Sequence, residues 1–122
     1  MKRTLFVTAA LAAVFFFSTN TVSAQQDEPV AGGYAPASRS SKEIRKAAGR
    51  AVAIRARQSG TAVTLVKIEK AEVQVVAGMN YRLCMRVKEG GRGTKTVTAV
   101  LFRSLRGGYS LSRWKAGGCR EL

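Results

Sequence analysis

Residues 81–88 alternate between two kinds of side chain, and this pattern constrains the fold more than any other feature of the chain. One set of alternate positions is apolar and the other is polar apart from one cysteine: Tyr81, Leu83, Met85 and Val87 against Arg82, Cys84, Arg86 and Lys88. Successive side chains of a β-strand point to opposite faces, so a period of two predicts a strand with one buried face. We therefore expect a half-buried antiparallel sheet.

Three further segments have the composition of strands. Residues 61–76 are rich in β-branched side chains. Their apolar residues change from even-numbered to odd-numbered positions near Glu69 and Lys70, which predicts a bulge or bend. Residues 96–105 and 109–114 predict two more strands. The first of these has apolar residues at both sets of alternate positions. The glycines of residues 90–93 could cradle a phosphate, but no Gly-Lys-Ser/Thr ending and no helix follow, so a hairpin connection is the better interpretation.

One helix is predicted before these strands. Ser40 and Glu43 have the Ser-x-x-Glu spacing of a capping box, and Gly60 can end the helix in a left-handed conformation. Its apolar stripe contains small residues at spacings of three and four: Ile44, Ala47, Ala48, Ala51, Val52 and Ile54 or Arg55. Such a basic amphipathic helix could lie on a membrane, but a stripe built on alanine suits packing against a sheet better.

The N-terminal residues have the features of an exported protein. Residues 1–24 combine a positive start, an apolar run over 5–17 and small residues at Val22-Ser23-Ala24, which predicts a cleaved signal peptide. The run is shorter than the roughly 20 residues of a membrane-spanning helix. We expect a secreted or periplasmic protein. The short start with two positive charges and the Ala-Gln junction are typical of bacterial signal peptides. Residues 25–39, with Pro29 and Pro36, predict a flexible N-terminal trunk, and residues 40–122 a single domain.

Composition limits the chemistry that the chain can perform. It contains no His, which removes the usual general base and the commonest metal ligand, so we expect neither an enzyme nor a cofactor. Without the predicted signal peptide, 19 Lys and Arg stand against 7 Asp and Glu, a net charge of +12. Such a charge predicts non-specific attraction to anionic surfaces such as lipopolysaccharide, lipid or nucleic acid, or it serves solubility alone.

Cys84 and Cys119 are the only cysteines of the chain. An even number of cysteines in an oxidising compartment predicts a disulfide, with two free thiols as the alternative. Cys84 lies among the polar residues of its strand, on the face opposite the apolar one. The segment that carries its partner would therefore have to cross the outer face of the sheet. The glycines at 117 and 118 make the C-terminal segment supple enough to do so.

Gln74, Val76 and Gly78 form a Gln-x-Val-x-Gly motif between two predicted strands. By itself this stretch also fits a plain hairpin turn. The motif resembles the first hairpin of the cystatins, inhibitors of papain-like cysteine peptidases, as do residues 78–81 that leave it. Gly33, 41 positions before Gln74, is similar to the trunk glycine of that family, and residues 100–107 resemble the second hairpin of stefin-type members. The resemblance implies an α+β fold in which an antiparallel sheet of four to five strands wraps one helix.

The resemblance also implies a function, namely tight, reversible blocking of a peptidase cleft by the trunk and two hairpins. It assigns peptidase binding to three elements and to Trp114. The trunk contributes Gly32 and Gly33, the first hairpin contributes Gln74, Val75, Val76, Ala77 and Gly78, and the second hairpin contributes Leu105, Arg106 and Gly107. The family's Pro-Trp pair is missing, so either residues 105–107 form the second tip or Trp114 belongs to it. The rival interpretation is a non-inhibitory cationic module with the same fold. In either case we expect a monomer.

Overall fold

The computed structural model describes residues 32–121 of the 122-residue chain, without the side chain of residue 121. The predicted signal peptide, residues 1–24, and the first part of the predicted trunk, residues 25–31, lie outside the described residues. Residue 122 does so as well.

The described residues form one helix packed against a five-stranded antiparallel sheet, as predicted. The strands follow one another across the sheet in chain order, so each pairs with its sequence neighbours. A short 3-10 helix, Cys119–Glu121, ends the described chain. The elements are β1 (Tyr34–Pro36), α1 (Lys42–Ser59), β2 (Val63–Val76), β3 (Gly78–Glu89), β4 (Thr94–Arg103) and β5 (Tyr109–Ala116).

The predicted trunk contains one short strand, β1. Tyr34 lies opposite Gln74 and Pro36 lies opposite Glu72, so β1 forms the edge of the sheet beside β2. Proline is compatible with an edge strand because it has no N–H to donate to a neighbour on the open side. The sequence predicted a flexible segment through residue 39, whereas backbone pairing holds residues 34–36 against β2.

The helix begins one residue later than the capping box predicted. Ser41, not Ser40, is the N-cap, and its hydroxyl accepts a hydrogen bond from the backbone N–H of Ile44 at 3.2 Å. The Glu43 carboxylate does not complete the predicted box; it accepts a hydrogen bond from the Tyr81 hydroxyl on β3 instead. A tertiary contact has therefore replaced the local one. The other end agrees with the prediction, since Gly60 is left-handed at φ 67°.

The core lies between the small-residue stripe of α1 and one face of the sheet. Three alanines of α1 are fully buried, so the helix backbone can approach the sheet closely. The alternation of residues 81–88 is confirmed, because its apolar members are all buried. No helix within residues 32–121 is long and apolar enough to cross a membrane. The buried apolar side chains are Ile44, Ala47, Ala48, Ala51 and Val52 from α1, and Ala71, Tyr81, Leu83, Met85, Val87, Val97, Ala99 and Leu101 from the sheet.

Strand β2 is irregular at two places rather than at the one that was predicted. Its register to β3 shifts between Leu65 and Lys67 and again between Ile68 and Lys70. The second shift lies where the apolar residues change from even-numbered to odd-numbered positions, so the predicted bulge is confirmed. The first leaves Val66 48% exposed.

A disulfide joins Cys84 on β3 to Cys119, as predicted, with their Cα atoms 5.6 Å apart. Cys84 lies opposite Thr98 of β4, on the face of the sheet away from α1. The segment that carries Cys119 contacts β4 and therefore folds back across the outer face of that strand. Cys84 itself is fully buried beneath it.

Candidate functional site

The first hairpin presents apolar side chains to solvent at its tip. Strand β2 ends at Val76 and β3 begins at Gly78, so Ala77 alone connects them. Val75 is 51% exposed and Val76 is 40% exposed. Both are branched apolar side chains for which exposure to water is unfavourable. This end of the sheet therefore has apolar surface that a partner could cover.

Gly78 holds the first hairpin against β4. Its φ of +118° lies in the region that favours glycine, and an added Cβ atom would overlap the backbone carbonyl oxygen of Arg103. The same Cβ would lie 2.8 Å from the Phe102 ring. The backbone at Gly78 therefore lies close to that of β4, an approach that a side chain at this position would prevent.

The second hairpin is formed by residues 104–108. The Ser104 amide donates to the Gly108 carbonyl, and the Gly107 amide donates to the Ser104 carbonyl, each at 2.9 Å. Gly107 has a φ of +89°, which the turn requires. Leu105 is 82% exposed at the tip, and Arg106 beside it is also exposed. Residues 105–107 therefore form the tip, in agreement with the first of the two alternatives.

Trp114 does not lie at that tip. It lies within β5 opposite Ala99, is partly buried, and packs against the hydrophobic core. The Arg55 guanidinium lies 5.7 Å from the centroid of its ring. The turn at residues 104–108 separates β4 from β5, which places Trp114 further along β5 and away from Leu105. The alternative in which Trp114 belongs to the second tip is therefore wrong, since this side chain anchors β5 to the core.

The two hairpins lie side by side and enclose a shallow groove of about 390 Å³. We call it the hairpin groove. Its walls combine the exposed valines of the first hairpin with the exposed leucine of the second, so apolar side chains from both tips line the same groove. The lining residues are Val75, Val76, Gly78, Met79, Arg103, Ser104, Leu105 and Gly107.

Gln74 attaches the trunk to the first hairpin. Its side-chain amide nitrogen donates to the Gly32 carbonyl at 2.6 Å, and its side-chain oxygen accepts from the Asn80 amide at 2.8 Å. Gly32 and Gly33 are both exposed, and the Gly32 carbonyl lies against the first hairpin. Sequence reasoning did not single out Asn80, although the register of a tight hairpin places it directly opposite Gln74.

A hydrogen-bonded cluster at the base of the second hairpin was also missed. The Tyr81 hydroxyl donates to Glu43 at 2.5 Å, and the Arg103 guanidinium lies 3.6 Å from the same carboxylate oxygen. Burial and, next, the hydrogen bond to Glu43 raise the pKa of Tyr81 well above its ordinary value. The cluster joins the start of α1 to β3 and to the end of β4, and so helps to hold both hairpins in place.

The side chains of the hairpin groove differ from those of a catalytic or metal site. The hairpin groove contains no carboxylate, thiol or imidazole to act as nucleophile or base. Within residues 32–121 no group of three or more His, Cys, Asp or Glu side chains could hold a metal ion. The hairpin groove instead presents apolar side chains on hairpins that are continuous with the strands of the sheet.

Comparisons with known proteins agree with the fold. The sequence model of the family described as "SQAPI: Aspartic acid proteinase inhibitor" matches residues 38–115. The structure is similar to a salivary cystatin from the soft tick Ornithodoros moubata, with a TM-score of 0.62 and 20% identity over 72% of this chain and 99% of that one. It is also similar to the solved structure of Al-CPI, with a TM-score of 0.58 and 20% identity over 70% and 100%. The search of curated proteins found no match.

Proposed function

We propose that this chain, which belongs to the family described as "SQAPI: Aspartic acid proteinase inhibitor", inhibits papain-like cysteine peptidases, reversibly and tightly, because its Gln74 to Gly78 motif resembles the first hairpin of the cystatins. Its trunk and two hairpins would enter the peptidase cleft together and cover the catalytic cysteine. The inhibitor presents no scissile bond in the position that the peptidase requires, so it is bound without being cut.

One observation carries this proposal above the others. The three elements that the resemblance implicated lie at one end of the sheet and touch one another. Gln74 links the trunk to the first hairpin, and the hairpin groove joins Val76 to Leu105 of the second. Sequence positions separated by up to 73 residues, Gly32 to Leu105, thus form one surface.

The physical basis of tight binding would be preorganisation. Both hairpins are continuous with sheet strands, and Gly78 packs one against the other, so little conformational entropy remains to be lost on docking. The exposed fractions of Val75, Val76 and Leu105 would be removed from water in the complex. Each Å² of apolar surface that is buried in the complex would contribute about 25 cal/mol to association.

The experiment is a titration of papain with the purified protein lacking residues 1–24. We expect stoichiometric, reversible loss of peptidase activity, with no cleavage of the inhibitor in its mass spectrum. A parallel titration of pepsin tests the second candidate function. Activity of papain that is unchanged at a large excess of the protein would contradict the proposal.

The second candidate is inhibition of an aspartic proteinase, which the description of the matching family favours. That description applies to the family, whereas the Gln-x-Val-x-Gly motif and the geometry around it favour a cysteine peptidase for this chain. Inhibition of pepsin but not of papain would reverse this preference. Inhibition of neither enzyme would favour the non-inhibitory module.

We also propose that the protein acts after export and as an inhibitor, not as an enzyme. The predicted signal peptide supports export, and so does the disulfide between Cys84 and Cys119, since disulfides persist in oxidising compartments. Family membership and the lack of His support the absence of catalysis. Processing at residue 24 can be checked by N-terminal sequencing of the exported product.

A further inference from the structure

A second surface of the molecule has a different composition from the hairpin groove. It is a depression of about 370 Å³ on the outer face of the sheet, at the lower end of the range for small-molecule cavities. We call it the basic pocket. It shares no residue with the hairpin groove. Its lining residues are Arg82, Thr98, Arg113, Lys115, Ala116, Gly117, Gly118 and Arg120.

The register of the sheet explains why these cations converge. Arg82 and Arg113 both lie opposite Val100, one on each side of β4, and Lys115 lies opposite Thr98 in the adjacent row. Side chains in such neighbouring positions point to the same face of a sheet. Arg120 comes from the C-terminal segment, which the disulfide holds over β4.

One of these cations is already fixed in place. The Arg82 guanidinium donates to the Glu72 carboxylate, with Nε 2.9 Å from Oε2, and it lies 4.0 Å from the centroid of the Tyr34 ring. This double contact orients Arg82 before any ligand binds. A preorganised guanidinium loses less entropy when it forms a new hydrogen bond.

The other cations of the basic pocket lack acidic partners within the described side chains. The four acidic side chains of that part of the chain, Glu43, Glu69, Glu72 and Glu89, form their ion pairs elsewhere or with Arg82. Arg113, Lys115 and Arg120 therefore contribute positive charge that these carboxylates do not neutralise. A concave surface with one sign of charge concentrates ions of the opposite sign.

We propose that the basic pocket binds a compact anion with several phosphate charges, such as a phosphorylated small molecule or the headgroup of a phosphorylated lipid. Guanidinium groups match the oxygen geometry of phosphate, and the pocket combines three of them with one ammonium group. The inference does not depend on peptidase inhibition, because the two surfaces share no residue. It also gives the predicted attraction to anionic surfaces a definite place on the molecule.

The test is calorimetric titration of the oxidised protein with inositol hexakisphosphate and with pyrophosphate. Arg113→Gln combined with Lys115→Gln alters the basic pocket, and Lys42→Gln combined with Arg45→Gln removes the same charge from exposed positions on α1. We expect the pocket variant to bind at least one probe about tenfold more weakly, and the helix variant to lose less than about threefold.

Vesicles of phosphatidylcholine with and without phosphatidic acid distinguish the two sources of phosphate. Binding to the soluble probes alone, lost in the pocket variant, assigns the site to a free small molecule. Pocket-dependent binding to the phosphatidic acid vesicles as well assigns it to a headgroup. Equal losses in the pocket and helix variants would overturn the proposal, because attraction would then depend only on net charge. Failure of the parent protein to bind any of these probes would overturn it as well.

Discussion

The side-chain amide of Gln74 donates a hydrogen bond to the backbone carbonyl of Gly32 across 2.6 Å, which ties the N-terminal trunk to the first hairpin. Gln74 belongs to the motif that carries the family resemblance. In this structure both of its polar groups are occupied within the chain, by Gly32 and by Asn80. Gln74 therefore positions the trunk beside the first hairpin.

Gln74→Leu should therefore weaken inhibition through the trunk. One neutral hydrogen bond contributes about 1 kcal/mol, so we expect an inhibition constant for papain about fivefold higher. The control is the same substitution in a protein that begins at Tyr34 and lacks Gly32 and Gly33. If Gln74 acts through the trunk, the substitution has no further effect there. An equal loss in both backgrounds would show that Gln74 contacts the peptidase directly.

Val75→Asp should abolish inhibition of papain while leaving the fold intact. A carboxylate forced into a dry cleft without a partner costs several kcal/mol, roughly 2–7 by analogy with other polar groups, whereas at an exposed tip it remains in water. Val66→Asp is the matched control, because Val66 is 48% exposed on the same strand but outside the hairpin groove. We expect the control to inhibit like the parent. Equal inhibition constants for all three proteins would refute the role of the first hairpin.

Gly78→Ala and Gly107→Ala separate backbone strain from close packing. Both glycines have positive φ, but only Gly78 has neighbouring atoms within 4 Å of an added Cβ. The positive φ costs an alanine about 1–2 kcal/mol at either position, and the overlap with β4 adds about 1–3 kcal/mol at Gly78. Thermal unfolding should therefore show the larger decrease in Tm for Gly78→Ala. Equal decreases would mean that β4 moves aside at little cost.

Reduction of the bond between Cys84 and Cys119 should destabilise the domain. The bridge spans a sequence separation of 35 residues, for which loop closure predicts about 4 kcal/mol of stabilisation. Denaturant unfolding with and without reductant measures this difference. Intact mass after alkylation checks the bond itself: no label should be incorporated before reduction and two labels after it. Two labels without reduction would contradict the bridge.

Stability in acid should depend on Glu89. Hydrogen bonds from Lys95 and then Arg55 hold the pKa of this carboxyl below its ordinary value of 4.5. The charged carboxylate therefore stabilises the fold above about pH 4.5, and this contribution is lost as the pH falls through the lowered pKa of the folded state. Glu89→Gln should lower Tm at neutral pH, with the difference from the parent shrinking in acid.

The control for Glu89 is Glu69→Gln. Glu69 has a more exposed side chain, 30% against 11%, and its nearest contact with Lys67 is 4.0 Å long. Removal of an exposed pair of this kind changes stability by less than about 1 kcal/mol. Tm recorded from neutral to acid pH compares the two variants. A difference between the parent and Glu89→Gln that is independent of pH would show that the carboxylate charge is not the cause.

The sequence by itself determined the elements whose signals are local. The period-two pattern through Tyr81 and Val87 predicted β3 and its buried face, because strand geometry alone sends alternate side chains to opposite sides. The small-residue stripe and Gly60 likewise predicted α1 and its end. The disulfide could be predicted from the number of cysteines, since two cysteines allow a single intramolecular pair.

The tertiary structure decided everything that depends on which distant residues meet. Glu43 bonds to Tyr81 rather than capping its own helix, Gly78 packs on Arg103, and Gln74 binds Gly32. It also decided that Leu105 and not Trp114 lies at the second tip. Sequence periodicity describes one strand or helix at a time, whereas these contacts depend on the register and packing of several. The pattern of a segment therefore predicts its type and buried face, and only the assembled sheet determines which side chains adjoin the site.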